Sequence, residues 1–136
     1  MEVVQINLHY SITATSCLLD LITRQNISAA LIQEPWINKE NQVSGLKARG
    51  YNLFYKRIRG KIRTSILVKG TIKGFLLNFS NSNCDIDGKR ICLVSAYLPY
   101  DANLEELPQD VLKQLVQSNK WEVVISCDAN AHHTYS

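Results

Sequence analysis

Five residues of this chain carry groups suited to handling a metal ion and a phosphate, and each falls at or near the end of an apolar, strand-like run. Asn7 follows VVQI, Glu34 follows AALIQ, Tyr97 lies in RICLVSAYL, and Asp128 and Asn130 follow VVISC. Magnesium takes hard oxygen ligands and keeps several waters, so one carboxylate such as Glu34 suits it. Asn7 and Asn130 bond phosphate oxygens without adding negative charge. In Asp-x-Asn the two side chains lie two apart in an extended chain and reach the same way. Tyr97 donates a hydrogen bond to a phosphoryl oxygen. A Lewis acid, donors to a charged transition state and a base that orients water are the parts phosphodiester hydrolysis requires.

Each residue alone also has a plain structural reading. Polar residues at strand ends form turns and caps, and Pro35 after Glu34 marks a strand exit. Tyr97 suits a half-buried ring with a satisfied hydroxyl, and Asn130 suits an Asx turn or helix cap. His132 and His133 in a terminal segment suit solvent. The combination, not any one residue, points to chemistry.

The elements that must position this set are short. Val3–Leu8 reads as a strand, and Ser11–Gln25 as a helix with Ala14, Leu18, Leu19 and Ile22 on one face. Ser11 or Thr13 serves as its N-cap and Asn26 closes it. Ala29–Gln33 completes a strand–helix–strand unit. After a polar loop carrying Trp36 come strand-like runs at 51–57, 63–69, 72–79 and 90–98. Arg59-Gly60, Gly70 and Asp87-Gly88 separate them, and their close spacing predicts antiparallel pairing. Asp87-Gly88 suits a tight hairpin. Leu104–Ser118 reads as a second helix with Pro108 in its first turn, and Trp121–Ser126 as a last buried strand. The pattern is mixed α/β, an antiparallel-rich sheet system with helices outside.

At 136 residues, 46% of them hydrophobic and 20% charged, the chain is expected to form one core-bearing domain spanning 1–136. A formal charge of +3 permits an anionic partner without requiring one. No apolar run is long enough to span a membrane and the N-terminus does not read as a signal peptide, so the expectation is a soluble intracellular protein with no membrane partner. Cys17, Cys84, Cys92 and Cys127 form no C-x-x-C pair and read as buried free thiols. Cys127 with His132, His133 and His9 fits no established zinc spacing.

QINLHYS, LIQEPW, RTSILVK, SAYLPY and CDANAHH occur in an order that resembles the endonuclease/exonuclease/phosphatase superfamily. The match is nearest to the apurinic-endonuclease-like domain of non-LTR retrotransposon polyproteins of the R1 or jockey type. The resemblance covers essentially the whole chain and implies a partial four-layer αββα sandwich, of α/β (α+β) class. It implies Mg2+ or Mn2+ as cofactor and DNA, through its phosphodiester backbone, as partner. It further implies a downstream reverse transcriptase in the same polyprotein and a nuclear location. Carried over by motif, Glu34 would be the main metal ligand and Asn7 would contact the phosphate or the metal-bound water. Tyr97 would assist at the scissile phosphate, Asp128 would orient or deprotonate water, and Asn130 would hold the phosphate. His132 and His133 match the retrotransposon form of the last motif without an assignable role.

The sequence departs from the pattern in three places. His9 stands where an aspartate is common, and Cys127 where a glycine usually precedes the aspartate. A later serine-containing strand motif and a terminal aspartate–histidine pair have no match, so the expectation is a C-terminally truncated domain with little activity of its own. Lys56, Arg57, Arg59, Lys61 and Arg63 are candidate contacts to a DNA backbone, or else a solvated turn. Two alternatives stand beside the DNA-nicking endonuclease: another phosphoesterase of the same superfamily, and a non-catalytic nucleic-acid-binding domain.

Overall fold

A computed structural model of the chain describes residues 2–57 and 59–71 in full. Beyond these it describes the strands at 73–77, 81–86, 89–98 and 122–129, with side chains at Leu93, Ser95, Val124 and Ser126. The first strand, β1 (Val3–Asn7), runs into helix α1 (Ile12–Gln25) and returns as β2 (Ala29–Gln33), parallel to β1 with Asn7 opposite Gln33. The sequence explains why the helix lies where it does. The Ser11 hydroxyl accepts the Ala14 N–H at 3.1 Å, satisfying one of the free donors of the first turn. At the other end Asn26 takes the left-handed conformation, φ 52°, and its N–H bonds the Ile22 carbonyl. Leu18 and Ile22 turn inward, while Cys17 is exposed. The expectation of a buried Cys17 thiol is therefore wrong: position 17 lies next to, not on, the stripe that repeats every three to four residues.

Two four-stranded sheets follow. The first has the order β1-β2-β4-β3, with β3 (Tyr51–Phe54) and β4 (Thr64–Lys69) antiparallel to each other and β4 antiparallel to β2. The second has the order β5-β6-β7-β8, formed by β5 (Lys73–Leu77), β6 (Asn81–Ile86), β7 (Lys89–Leu98) and β8 (Glu122–Ala129). Antiparallel pairing is found at β5–β6 and β6–β7, with Ile86 opposite Lys89 at the end of the β6–β7 ladder, and the hairpin expected at Asp87-Gly88 lies outside the described residues. β7 and β8 are parallel.

Strand β2 is buried along its whole length and on both faces, as its unbroken apolar run requires. Ala30 and Ile32 join Leu18, Ile22, Ile27 and Leu67 in a core beneath α1. Ala29 and Leu31 face the other way and pack with Ile66, Val68 and Leu93, with Val124 against them. Burying each such Leu or Ile side chain contributes about 1.5–3 kcal/mol. Helix, sheet and second sheet are thus stacked as successive layers of an α/β sandwich.

The structure adjusts several boundaries. The run at 51–57 forms a strand only to Phe54. Asn81–Ile86 is a strand not expected from the sequence, because Asn81, Ser82, Asn83 and Asp85 are turn formers and only Cys84 and Ile86 are apolar. β4 and β5 do not pair; they belong to different sheets, so the chain crosses between layers after Gly70. The last strand continues past Ser126 to Ala129, so Asp128 lies inside it. The helix expected at Leu104–Ser118 lies outside the described residues, as do Asn130, His132 and His133. Among the described residues no helix is long and apolar enough to cross a membrane.

Candidate functional site

Parallel pairing of β1 and β2 puts Asn7 opposite Gln33, so Asn7 and Glu34 leave adjacent strands at the same end of the sheet. The two exits are then tied together. Leu8 N–H donates to the Gln33 carbonyl at 2.9 Å, and Tyr10 N–H to the Glu34 carbonyl at 2.8 Å. Glu34 N–H donates to the Arg63 carbonyl at 2.7 Å, so both backbone polar groups of Glu34 are fixed. Three non-glycine residues of this corner have positive φ: His9 at 49°, Tyr10 at 57° and Glu34 at 47°. Such backbones cost about 1–2 kcal/mol each and persist where surrounding bonds over-determine them. Their concentration at one sheet end is itself an indication of a site.

The Asn7 side-chain oxygen accepts the His9 N–H at 2.8 Å, an Asx turn that holds the corner. His9 is exposed, and its Nδ1 stands 3.4 Å from Oε2 of the half-buried Glu34 carboxylate. Beside them the Tyr10 ring is flanked by two cations. Lys61 Nζ lies 3.6 Å from the ring centroid, and Arg63 Nη1 donates to the Tyr10 hydroxyl at 3.0 Å.

Tyr97 and Asp128 belong to the second sheet, where they are register partners in the parallel β7–β8 pair. Their position relative to Glu34 follows from the strands that carry them. Gln33, the residue before Glu34, is fully buried, and its Nε2 donates to Ser95 Oγ at 3.0 Å and to Ser126 Oγ at 3.2 Å. Ser95 and Ser126 are opposite each other in the ladder, each two residues before Tyr97 and Asp128. At roughly 3.3 Å per residue, the backbones at 97 and 128 lie about 7 Å further along. Leu31 packs with Leu93 one strand period earlier, so β2, β7 and β8 run toward the same end of the sandwich.

The structure thus brings Asn7 and Glu34 together on one sheet end and carries the strands of Tyr97 and Asp128 across that same end. Asn130, His132 and His133 lie outside the described residues. Sequence reasoning passed over Gln33 and Tyr10. The signal for Gln33 was present: AALIQ, LVSAY and VVISCD each hold one polar side chain inside an apolar run, at a fixed one or two residues before a site candidate.

A magnesium ion suits what is present. Glu34 offers a carboxylate of limited exposure and Asn7 an amide oxygen on the neighbouring strand, both hard donors. Among the described residues no group of three or more His, Cys, Asp or Glu gathers.

No family model matches the chain, and no curated protein does. Solved structures match it throughout. The endonuclease domain of TRAS1, a telomere-specific non-LTR retrotransposon, superposes with a TM-score of 0.73 at 22% identity, covering 97% of this chain and 60% of that one. The human nocturnin catalytic domain with a bound sulfate anion gives 0.57 at 16% identity, covering 88% and 58%. An endonuclease/exonuclease/phosphatase family protein from Leptotrichia buccalis gives 0.52 at 14%, covering 84% and 62%. The chain therefore has the fold these proteins share, and spans about 60% of their length.

Proposed function

We propose that the chain is a divalent-metal-dependent phosphodiester hydrolase, the DNA-nicking endonuclease domain of a retrotransposon polyprotein that also carries a reverse transcriptase and acts in the nucleus. The observation that carries this reading is the joint exit of Asn7 and Glu34 at one strained sheet end, with the β7–β8 strands of Tyr97 and Asp128 tied over it. The TRAS1 endonuclease domain, whose fold the chain shares, supports the choice among phosphoesterases.

In this reading Glu34 and Asn7 hold Mg2+ or Mn2+, which supplies charge to a phosphate and activates water when bound. Asp128 orients the attacking water, and Tyr97 and Asn130 donate to the phosphate oxygens. Lys61 and Arg63, steadied on Tyr10, lie beside Glu34 and hold the nucleic-acid backbone away from the reacting bond. The sequence has no match to the later serine motif or to the terminal aspartate–histidine pair.

The deciding experiment is divalent-ion binding, which does not depend on turnover. Mn2+ titrated into the protein and followed by its electron paramagnetic resonance signal is expected to bind one site, with binding abolished in Glu34→Gln. Any magnesium-dependent nicking of supercoiled DNA disappears in Glu34→Ala and in Asp128→Ala. Mn2+ uptake that is equal in parent and Glu34→Gln refutes the metal site. Cleavage of inositol polyphosphates without nicking of plasmid reassigns the substrate.

A further inference from the structure

We infer that Gln33, Ser95 and Ser126 form a positioning device that sets one half of the site against the other. Two sheets meet in this fold, and the site residues are divided between them: Asn7 and Glu34 on the first, Tyr97 and Asp128 on the second. Over most of the interface the contact is apolar, through Ala29, Leu31, Ile66, Val68 and Leu93. Apolar packing is strong but non-directional, and it does not by itself fix one sheet's height against the other.

Gln33 changes this at the layer just below the site. Its two N–H bonds go to Ser95 Oγ and Ser126 Oγ, one on each of the strands carrying Tyr97 and Asp128. Its side-chain oxygen accepts from Gln5 Nε2 at 2.9 Å, on β1, the strand that ends in Asn7. Ser95 in turn donates to the Ile32 carbonyl at 3.0 Å, back on β2. Both side-chain N–H groups of Gln33 are used, and because Ser95 gives its proton to Ile32 its oxygen is left to accept from Gln33, which ties the two sheets by directed bonds. The four strands that end at the site are joined at a single layer, through side chains of which Gln33 and Ser95 are fully buried and Ser126 nearly so. A plain stability role would be served as well by apolar residues of equal volume, since replacing all partners of a buried polar group at once is close to neutral.

That comparison supplies the test. Gln33→Met alone takes the donor from both serines, of which Ser95 keeps its bond to the Ile32 carbonyl, and is expected to lower the melting temperature by about 4–10 °C. The triple variant Gln33→Met/Ser95→Ala/Ser126→Ala removes both hydroxyls together with the amide, gives the exposed Gln5 amide to water and takes only the Ser95 bond from the Ile32 carbonyl, and is expected to return to within about 3 °C of the parent. Two NMR readouts follow site alignment. One is amide hydrogen exchange at Tyr97 and Asp128, referenced to Ile66 and Val68. The other is broadening by Mn2+ of the Asp128 amide relative to the Glu34 amide, which falls steeply with distance from the ion. In the triple variant we expect faster exchange at 97 and 128 and a several-fold lower broadening ratio, with stability restored. Parent-like exchange and broadening in the stable triple variant overturn the inference. The broadening arm rests on the metal reading; the exchange arm does not. Should Mn2+ broaden nothing in the parent, the metal proposal fails and exchange alone decides the positioning role. Should the triple variant not fold, Ser126→Ala decides: faster exchange at Asp128 with Tyr97 unchanged supports the inference, and no change at either position overturns it.

Discussion

Gly45 offers a perturbation whose magnitude can be worked out before it is made. The residue sits in the loop after Glu34-Pro35-Trp36 with φ +75°, a left-handed backbone that costs a side-chain-bearing residue about 1–2 kcal/mol. A Cβ there would lie 2.8 Å from Trp36 Cε3, 3.0 Å from Cζ3 and 3.1 Å from Thr15 Cγ2. Thr15 has little freedom to retreat: it is buried, and its hydroxyl donates to the Ser11 carbonyl at 2.7 Å. Displacing the ring instead adds an overpacking cost of about 1–3 kcal/mol. Gly45→Ala should therefore destabilise by about 2–5 kcal/mol. Gly50 isolates the backbone part, because its φ is +82° and its Cβ position meets open space. Gly50→Ala should show the left-handed cost alone, about 1–2 kcal/mol. Urea unfolding of parent and both variants measures the two, provided the slope m is unchanged. Equal losses in Gly45→Ala and Gly50→Ala would refute the claim that a side chain at position 45 is crowded by Trp36 and Thr15.

Two further outcomes are expected. The Tyr51 hydroxyl donates to the Ile27 carbonyl at 2.5 Å, and burial raises its pKa above the usual 10.0. The protonated phenol is thus favoured in the fold, a contribution present at neutral pH and lost as pH rises through the raised value. Tyr51→Phe should cost about 1 kcal/mol at neutral pH, and urea melts at rising pH should show the gap to the parent closing above 10.0. Lys61→Ala should weaken DNA binding and lower the slope of log affinity against log salt by about one, measured by fluorescence anisotropy; an unchanged slope removes Lys61 from the interface.

Much of the first layer pair was legible because each signal was local. Ser11, the Leu18–Ile22 stripe and Asn26 define α1 through capping and a helical period. AALIQ reads as a buried strand because nothing in it suits water except its last residue. β6 was not legible, since four of the six residues of NSNCDI (Asn81, Ser82, Asn83 and Asp85) are turn formers, and the strand forms where β5 and β7 flank it. The separation of β4 from β5 was equally hidden: Gly70 marks a chain reversal in sequence, but which sheet receives the next strand is decided by long-range packing. At the site, Asn7 and Glu34 could be named from strand ends, whereas the left-handed backbones of His9, Tyr10 and Glu34 could not. None is a glycine; Tyr10 and Glu34 are held by bonds between segments far apart in the chain, and His9 by the Asx turn of Asn7. Cys17 shows the reverse error, a residue type that is commonly buried placed one step off the inward stripe.

The polarity of the sheet interface changes along its length, and that change is the link between fold and chemistry. At one end Ala29, Leu31, Val68 and Leu93 exclude water; at the other Gln33, Ser95 and Ser126 replace aliphatic contact with directed bonds. A site that handles phosphate must admit water, so the apolar packing has to stop short of it. Stopping it without replacement would leave the two halves of the site on sheets free to shift, and a misplacement of about 1 Å can cost a catalytic site 10²-fold. Buried hydrogen bonds meet both needs because they tolerate nearby water and still select one register. The same logic explains why Gln33 ends β2 and Glu34 follows it in left-handed backbone, out of the strand's alternation. One position therefore reaches into the interface and fixes it, while the next leaves the sheet with its carboxylate on the outer rim.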